Sequence, residues 1–240
     1  MRLAVLSDIH GNLEALEAVL IAVEQDGADQ LLVLGDLVGY GPDPVACIYR
    51  LREAGAVCVL GNHDQALVDG RRVHELNAVA RDTLLESRAL VEEEELDYIR
   101  SFAFRHVEGE GVFAHANPLR PEEWQHLYLL EHVRWCLESL EWRIAFVGHT
   151  HRAALYCQME SEPVLLTSSE VAIGRHRYLV NAGSVGQPRD GDPRASFALW
   201  DVDAERVELR RAEYPLRRTQ EKIYELGWPA YAAERLARGE

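Results

Sequence analysis

The chain has 240 residues, 48% of them hydrophobic and 27% charged, with a formal net charge of −15. This is enough apolar material for one large core or two small ones, and the negative field opposes loose binding to nucleic acid or an anionic membrane. No segment approaches the roughly 18 apolar residues that cross a bilayer.

The four cysteines, Cys47, Cys58, Cys136 and Cys157, are scattered and form no CxxC pair. They read as small hydrophobes of a reducing compartment, with no zinc knuckle or disulfide framework. The first apolar run, Leu3–Leu6, meets Asp8 and His10 at once, which is not the pattern of a signal peptide. The expected location is the cytoplasm.

The opening sixty residues repeat one plan. Leu3–Leu6 predicts a strand that stops at Ser7-Asp8-Ile9-His10-Gly11-Asn12, and Asn12 is placed to cap a helix carrying Leu13, Leu16, Val19, Leu20 and Val23 at helical spacing. Gly27 ends that helix. Leu31–Leu34 predicts a second strand that stops at Gly35-Asp36, followed by a turn at Gly41-Pro42-Asp43-Pro44 and a helix over Ala46–Glu53. Ala56–Leu60 predicts a third strand that stops at Gly61-Asn62-His63-Asp64. Continuously apolar strands in a β-α-β-α-β order belong to a parallel sheet buried on both faces. Their polar residues fall just beyond the strands' C-terminal ends, where open α/β sheets place ligands.

The middle of the chain predicts surface helices over Val73–Arg88 and Glu92–Phe102. The acid run Glu92–Glu95 suits the N-terminus of the second, a structural role. A strand over Gly111–His115, a helix over Leu129–Leu140 and a strand over Ile144–Val147 follow, the last stopping at Gly148-His149-Thr150-His151. Short strands then come in succession: Leu155–Met159, Val164–Leu166, Val171–Ile173, Tyr178–Val180, Ser196–Trp200 and Val207–Arg211. They suggest a largely antiparallel second sheet packed on the first. Residues Thr219–Arg238 predict a terminal helix broken at Gly227-Trp228-Pro229. With no Pro-, Gly- or Ser-rich linker, the simplest organisation is one domain over residues 1–240 with a helical tail from about 215 to 240.

Five strand ends carry the chemistry: Asp8 and His10; Asp36; Asn62 and His63; His115; His149 and His151. Singly, each has an ordinary reading as a cap, a turn or a satisfied histidine. Together they include too many imidazoles for caps, and they read as metal ligands. Oxygen and imidazole donors without thiolate suit Mn, Fe, Co, Ni or Zn. Seven ligand side chains exceed the four to six or so that one ion takes, and they suit two ions about 3.5–4 Å apart. Two divalent ions set against two aspartates and one hydroxide leave a net positive charge, which favours phosphate.

The set Asp8-Ile9-His10, Gly35-Asp36, Gly61-Asn62-His63-Asp64, His115 and Gly148-His149-Thr150-His151 resembles the calcineurin-like metallophosphoesterases. Asn181-Ala182-Gly183-Ser184-Val185-Gly186-Gln187-Pro188-Arg189 is similar to the closing motif of their small single-domain bacterial and archaeal branch. The resemblance implies an α/β fold, a four-layer α-β-β-α sandwich with two mixed β-sheets. It implies that Asp8, His10, Asp36 and His151 hold a first metal and Asp36, Asn62, His115 and His149 a second, with Asp36 bridging. It implies two divalent transition-metal ions, manganese first, with iron, nickel, cobalt or zinc admitted by the same donors. His63 would face the substrate phosphate and leaving group, oriented by Asp64. Ala182 and Ala116 depart from the family's usual Pro and Gly but leave the ligand set complete.

The reaction so implied is hydrolysis of a P–O bond in a small phosphorylated substrate by a metal-bridging hydroxide, with His63 as imidazolium and Asp64 favouring that charge. The family's protein phosphatases carry an arginine shortly after the second motif, where this chain has Leu37-Val38-Gly39-Tyr40-Gly41. Its absence favours small phosphodiesters; monoesters or nucleotide pyrophosphates are the alternative, for which Arg152, Arg175, Arg177 or Arg189 would compensate by folding over the site. A non-catalytic interaction scaffold is a third reading, disfavoured because every ligand and His63 are present. No membrane partner and no non-specific nucleic-acid binding are expected.

Overall fold

The computed structural model describes residues 1–160 and 162–240. Its opening follows the predicted plan: β1 (Arg2–Leu6), α1 (Leu13–Gln25), β2 (Gln30–Val33), α2 (Pro44–Glu53) and the two-residue β3 (Val57–Cys58), with β1, β2 and β3 parallel. The Asn12 side chain accepts from the N–H of Ala15 and caps α1.

The middle differs from expectation in two places. A helix not foreseen, α3 (Asn62–Asp69), begins at the third polar corner. The helix expected from Val73 starts later: Val73–Glu75 is one 3₁₀ turn, and Asn77 caps α4 (Ala78–Leu90) by accepting from Ala80 N–H at 3.0 Å. An Asn at that point competes with helical continuation and supplies the cap instead. In α5 (Glu93–Arg100) the acid run does what was expected, with Glu95 Oε2 accepting from the Glu92 N–H at 2.8 Å at the helix N-terminus.

The rest of the chain is β4 (Arg105–Glu108), β5 (Gly111–Ala114), α6 (Leu130–Ser139), β6 (Ile144–Val147), β7 (Ala154–Gln158), β8 (Pro163–Leu165), β9 (Glu170–Ala172), β10 (Tyr178–Asn181), β11 (Ala195–Asp201), β12 (Arg206–Ala212), α7 (Leu216–Glu225) and α8 (Ala230–Glu234). The late strands do not make a separate antiparallel sheet. They are shared between two mixed sheets of six, ordered β3-β2-β1-β11-β12-β9 and β4-β5-β6-β10-β7-β8. In the first, β11 lies antiparallel beside β1; in the second, β6 is parallel to both β5 and β10. Strand alternation explains the pairing: a strand apolar on both faces needs an apolar neighbour, and β11 is buried along nearly all its length.

Layering follows from the two-residue period. Leu3 and Val5 of β1 meet Phe146 of β6, Val180 of β10 and Trp200 of β11 between the sheets, while Ala4 and Leu6 face outward with Leu16 and Val19 of α1 and Ile48 of α2. Ala145 and Val147 of β6 face the other way, onto Val133 and Leu137 of α6. The order helices, sheet, sheet, helix is a four-layer α-β-β-α sandwich. The tail crosses the first helical layer, where Lys222 bridges Glu14 at 2.6 Å and Asp43 at 2.7 Å, and Thr219 Oγ1 donates toward Asn12 and Glu14. No described helix is long and apolar enough to cross a membrane.

Phe113 and Phe146 stack at 5.0 Å between the sheets, with Trp200 at 5.5 Å from Phe146. Phe146→Ala should cost about 3–5 kcal/mol, read as a lower urea midpoint at unchanged slope. A loss below about 1 kcal/mol would mean that the inter-sheet layer repacks freely.

Candidate metal centre

The polar corners meet where the two sheets end together. Asp8, His10, Asp36, His149 and His151 all have φ between +47° and +65°, a left-handed conformation that L-residues adopt at a cost of about 1–2 kcal/mol each. Interlocking main chain holds them there. Asp8 N–H donates to Gly35 C=O at 3.0 Å and His10 N–H to Asp36 C=O at 2.9 Å, while Gly186 N–H donates to Asp8 C=O at 3.0 Å.

The four histidines expected as ligands are oriented by main-chain carbonyls. His10, His115 and His151 point Nδ1 at the carbonyls of Val38, Leu34 and Gln187, at 2.8, 2.8 and 2.7 Å, and His149 points Nε2 at Trp124 C=O at 3.0 Å. A carbonyl only accepts, so each of these nitrogens carries the proton, and in the neutral ring the other presents a lone pair. Those other nitrogens converge: His10 Nε2 lies 3.1 Å from His151 Nε2, and His115 Nε2 lies 3.0 Å from His149 Nδ1. Paired lone pairs at such distances repel unless a cation or a proton lies among them.

The carboxylates complete two groups. Asp8 Oδ2 accepts from Ser7 Oγ at 2.6 Å and His149 N–H at 2.9 Å. Its Oδ1 is buried with no hydrogen-bond partner, 3.1 Å from His151 Nε2. Asp36 Oδ2 lies 3.7 Å from His10 Nε2 and 3.3 Å from His115 Nε2, so it touches both groups, and Oδ1 accepts from His63 N–H at 2.8 Å. Asn62 brings Oδ1 to 3.1 Å from His115 Nε2. Asp8, His10 and His151 can thus converge on one ion and Asp36, His115 and His149 on another. The orphaned carboxylate oxygen, the facing lone pairs and the nitrogen-and-oxygen donor set fit two divalent ions.

Electrostatics agree. Burial would raise both carboxyls, but His151 and His10 at Asp8, and His115, His63 and His10 at Asp36, outweigh it and hold both well below the usual carboxylate range. Burial pushes His151 down to about 4, with Arg189 adding to the effect, and burial together with the neighbouring His115 and His126 holds His149 well below the usual imidazole range. Burial also opposes a charged His115, but Asp36 and Asp8 prevail and lift it to about 9. A proton on His115 stands where a metal would take its place.

His63 lines the cleft beside these groups, its ring 4.9 Å from that of His10 and its Nδ1 buried without a partner. A third cluster, His10, Asp36 and His63, also has converging ligand atoms. Burial holds the His63 ring down to about 3, and no hydrogen bond joins it to Asp64. This corrects the expectation that Asp64 orients and charges the ring. The Asp64 carboxylate accepts from the N–H groups of Asp36 at 2.7 Å, Leu37 at 2.9 Å and Gly61 at 3.2 Å, because it sits in the first turn of α3 facing that loop. It fixes the backbone that carries Asp36.

A cleft of about 290 Å³ opens over the cluster, lined among others by Tyr40, Arg72, Trp124, His126 and Arg189. Of the four arginines considered from sequence, only Arg189 lines it. Arg177 donates to the carbonyls of Leu137 and Glu138, and Arg175 lies with Gly109 and Trp142 in a different depression. Sequence reasoning missed Tyr40, Trp124 and His126. The signal available for Tyr40 was its place in the turn-rich segment after Asp36. For Trp124 and His126 no local pattern marks the loop before α6.

Gly148 has no room for a side chain, since a Cβ there would overlap Ser7 Oγ and Asp8 Oδ2. Gly148→Ala should displace Asp8 and lower metal content by at least one ion per chain after dialysis against manganese. Full metal content in this variant would show that the Ser7–Asp8 corner is not held by close packing.

The calcineurin-like phosphoesterase superfamily domain matches residues 1–205. An uncharacterized protein of Methanocaldococcus jannaschii is 34% identical over 99% of this chain and 98% of its own length. Phosphodiesterase YfcE of Escherichia coli is 37% identical over 85% of this chain and 89% of its own. The crystal structure of a metallophosphoesterase from Sphaerobacter thermophilus superposes with a TM-score of 0.88 at 36% identity, covering 100% of this chain and 99% of that one. With the sandwich, the two ligand triads and these relatives in agreement, the chain belongs to the calcineurin-like phosphoesterase superfamily, in its small bacterial and archaeal branch, and is a metal-dependent hydrolase.

Proposed function

We propose that this protein hydrolyses P–O bonds of small phosphodiesters at two divalent ions, with Asp8, His10, Asp36 and His151 on the first and Asp36, Asn62, His115 and His149 on the second. The observation that carries this reading is the convergence of four imidazole lone pairs on two aspartates at the floor of one cleft. When bound, two such ions supply Lewis acidity and water of lowered pKa; manganese is the first to test. Asp36, in reach of both groups, joins the two sites, and Asp64 holds the loop from which Asp36 projects. His63, lining the cleft beside the cluster, would direct a ring N–H at the departing oxygen and so stabilise the negative charge that oxygen gains as its bond to phosphorus breaks.

The phosphodiesterase among the relatives supports the diester reading. One observation favours a second reading, cleavage of a nucleotide pyrophosphate: Arg189 reaches the cleft, and among the described residues no carboxylate side chain pairs with it.

Metal content should approach two ions per chain in the parent and fall at both sites in Asp36→Asn. Chelation should abolish hydrolysis of bis-(p-nitrophenyl) phosphate, and added manganese should restore it. A folded parent that takes up no transition metal would end this reading.

The role of His63 is separable from metal binding. His63→Ala should keep near-normal metal content while losing roughly 10²–10⁴-fold in rate on esters with poor leaving groups. The loss should shrink for p-nitrophenol, whose anion departs with little help. Equal losses across leaving groups of different pKa would instead make His63 a phosphate-positioning group, and a parallel loss of metal would make it a ligand.

A further inference from the structure

Tyr40 packs against both the metal cluster and a pair of cations. Its ring lies 4.8 Å from that of His10 and 5.1 Å from that of His63. The Arg189 guanidinium is 5.4 Å from the centre of the same ring and that of Arg235 is 5.9 Å from it. Among the described residues, neither arginine has a carboxylate side chain within salt-bridge distance, in a chain whose acids outnumber its lysines and arginines 40 to 25. Of the pair, Arg189 lines the cleft and Arg235 packs on Tyr40 at its edge; Arg72, on the cleft wall, is paired with Glu75 at 2.9 Å. Arg189 Nε and Nη2 donate to the neutral Gln187 Oε1 at 3.2 and 2.7 Å. Arg235 Nε donates at 2.6 Å to a backbone carboxyl oxygen of Glu240, the last residue of the sequence, whose charge favours the guanidinium and engages only that one nitrogen. Among the described residues, the outer nitrogen Nη1 of Arg189 and both outer nitrogens of Arg235 have no hydrogen-bond partner.

Two like charges against one ring repel each other. Burial and the nearby Arg189 both depress the Arg235 pKa, and the Arg189 charge is felt by His151 and His126 on the cleft side. The pair is nevertheless fixed in place. Arg189 is anchored by its own N–H to His151 C=O at 2.9 Å. Arg235 begins the last turn, Arg235–Arg238, of a tail whose Ile223, Trp228, Ala232 and Leu236 pack together with Val79 of α4 and which Lys222 ties to α1 and α2. An anion would relieve the repulsion and satisfy the idle N–H groups, and phosphoryl oxygens match guanidinium geometry.

We propose that Arg189 and Arg235, packed on the Tyr40 ring that also touches His10 and His63, bind a second phosphoryl group of the substrate while the first lies at the metals. This deepens the proposed phosphoesterase reading and rests on it: the preferred esters are those that carry another phosphate near the scissile one. It also gives the tail, which lies beyond the residues matched by the family, a part in choosing substrates.

The test uses two matched chromogenic diesters, thymidine 5′-(p-nitrophenyl phosphate) and its 3′-phosphorylated counterpart, with the metal-loaded full-length protein. The parent should prefer the 3′-phosphorylated ester about tenfold in kcat/KM, mainly through KM. Arg235→Ala and Arg189→Ala should each bring the preference close to one, and Arg235→Lys should keep most of it. Equal loss in Arg235→Ala and Arg235→Lys would make Arg235 a packing strut on Tyr40 and overturn the proposal, as would a parent without preference.

Calorimetric binding of thymidine 3′,5′-bisphosphate against thymidine 5′-monophosphate gives a readout independent of turnover. Tighter binding of the bisphosphate that Arg235→Ala abolishes supports the anion site even if neither ester is hydrolysed, an outcome that would count against the diesterase reading alone. Equal affinity for the two nucleotides overturns the anion site.

Discussion

Four hydrogen bonds from imidazole rings to main-chain carbonyls decide what the site can be. Once His10, His115 and His151 donate through Nδ1 and His149 through Nε2, the opposite nitrogens have no choice of direction. They are driven together at about van der Waals distance or closer, beside two carboxylates that stay ionised. A hydrophobic floor beneath them, with Leu34 and Val147 at the strand ends, leaves little solvent to screen the repulsion. Such a cluster is stable only with positive charge among its members, and the acceptor carbonyls are positioned by the strand ends and loops. The sheets therefore specify the metal centre through the main chain as much as through the ligand side chains.

The same reasoning accounts for the strained backbone. Five of the candidate ligands adopt a conformation usual for glycine, and each is fixed by hydrogen bonds from a neighbouring loop, so no single loop can relax alone. The Asp64 carboxylate is part of this arrangement. Buried under the corner, it accepts from consecutive N–H groups of the loop bearing Asp36, a role closer to that of a helix cap than to that of an acid. Gly61 reflects the same crowding, since a side chain there would run into the Asp36 carboxylate. Stiffness at these corners keeps ligands in register across segments more than a hundred residues apart.

Much of this was legible in the sequence because it is local. Apolar runs that stop abruptly at Asp8, Asp36, Asn62, His115 and His149 announce buried strands with chemistry at their ends, and those residues do meet. The pairing of β11 with β1 was not legible, because nothing near Ala195–Asp201 records a partner at Arg2–Leu6. The α3 helix was hidden because Asn62-His63-Asp64-Gln65 has no apolar period; its signal was the Asp three residues after Gly61. Strand β4 is a short edge of alternating residues, Arg105-His106-Val107-Glu108, that reads equally well as a loop. Tyr40, Arg189 and Arg235 come from three distant segments, so their meeting is a property of the fold alone.

The position of β11 beside β1 bears on how the chain must be made. A ribosome delivers β1 first, together with the loops bearing Asp8 and Asp36, and β11 nearly two hundred residues later. At typical elongation rates of about 5–20 residues per second, the interval is on the order of ten seconds or more. Throughout it, one edge of β1 is open, and three of the four histidines of the cluster, His115, His149 and His151, emerge only in its course. Parallel pairing with β2 and β3 can begin at once, but the first sheet cannot close until β11 has emerged. The nascent chain thus exposes an apolar strand edge for an extended time, a state in which chaperone capture competes with aggregation.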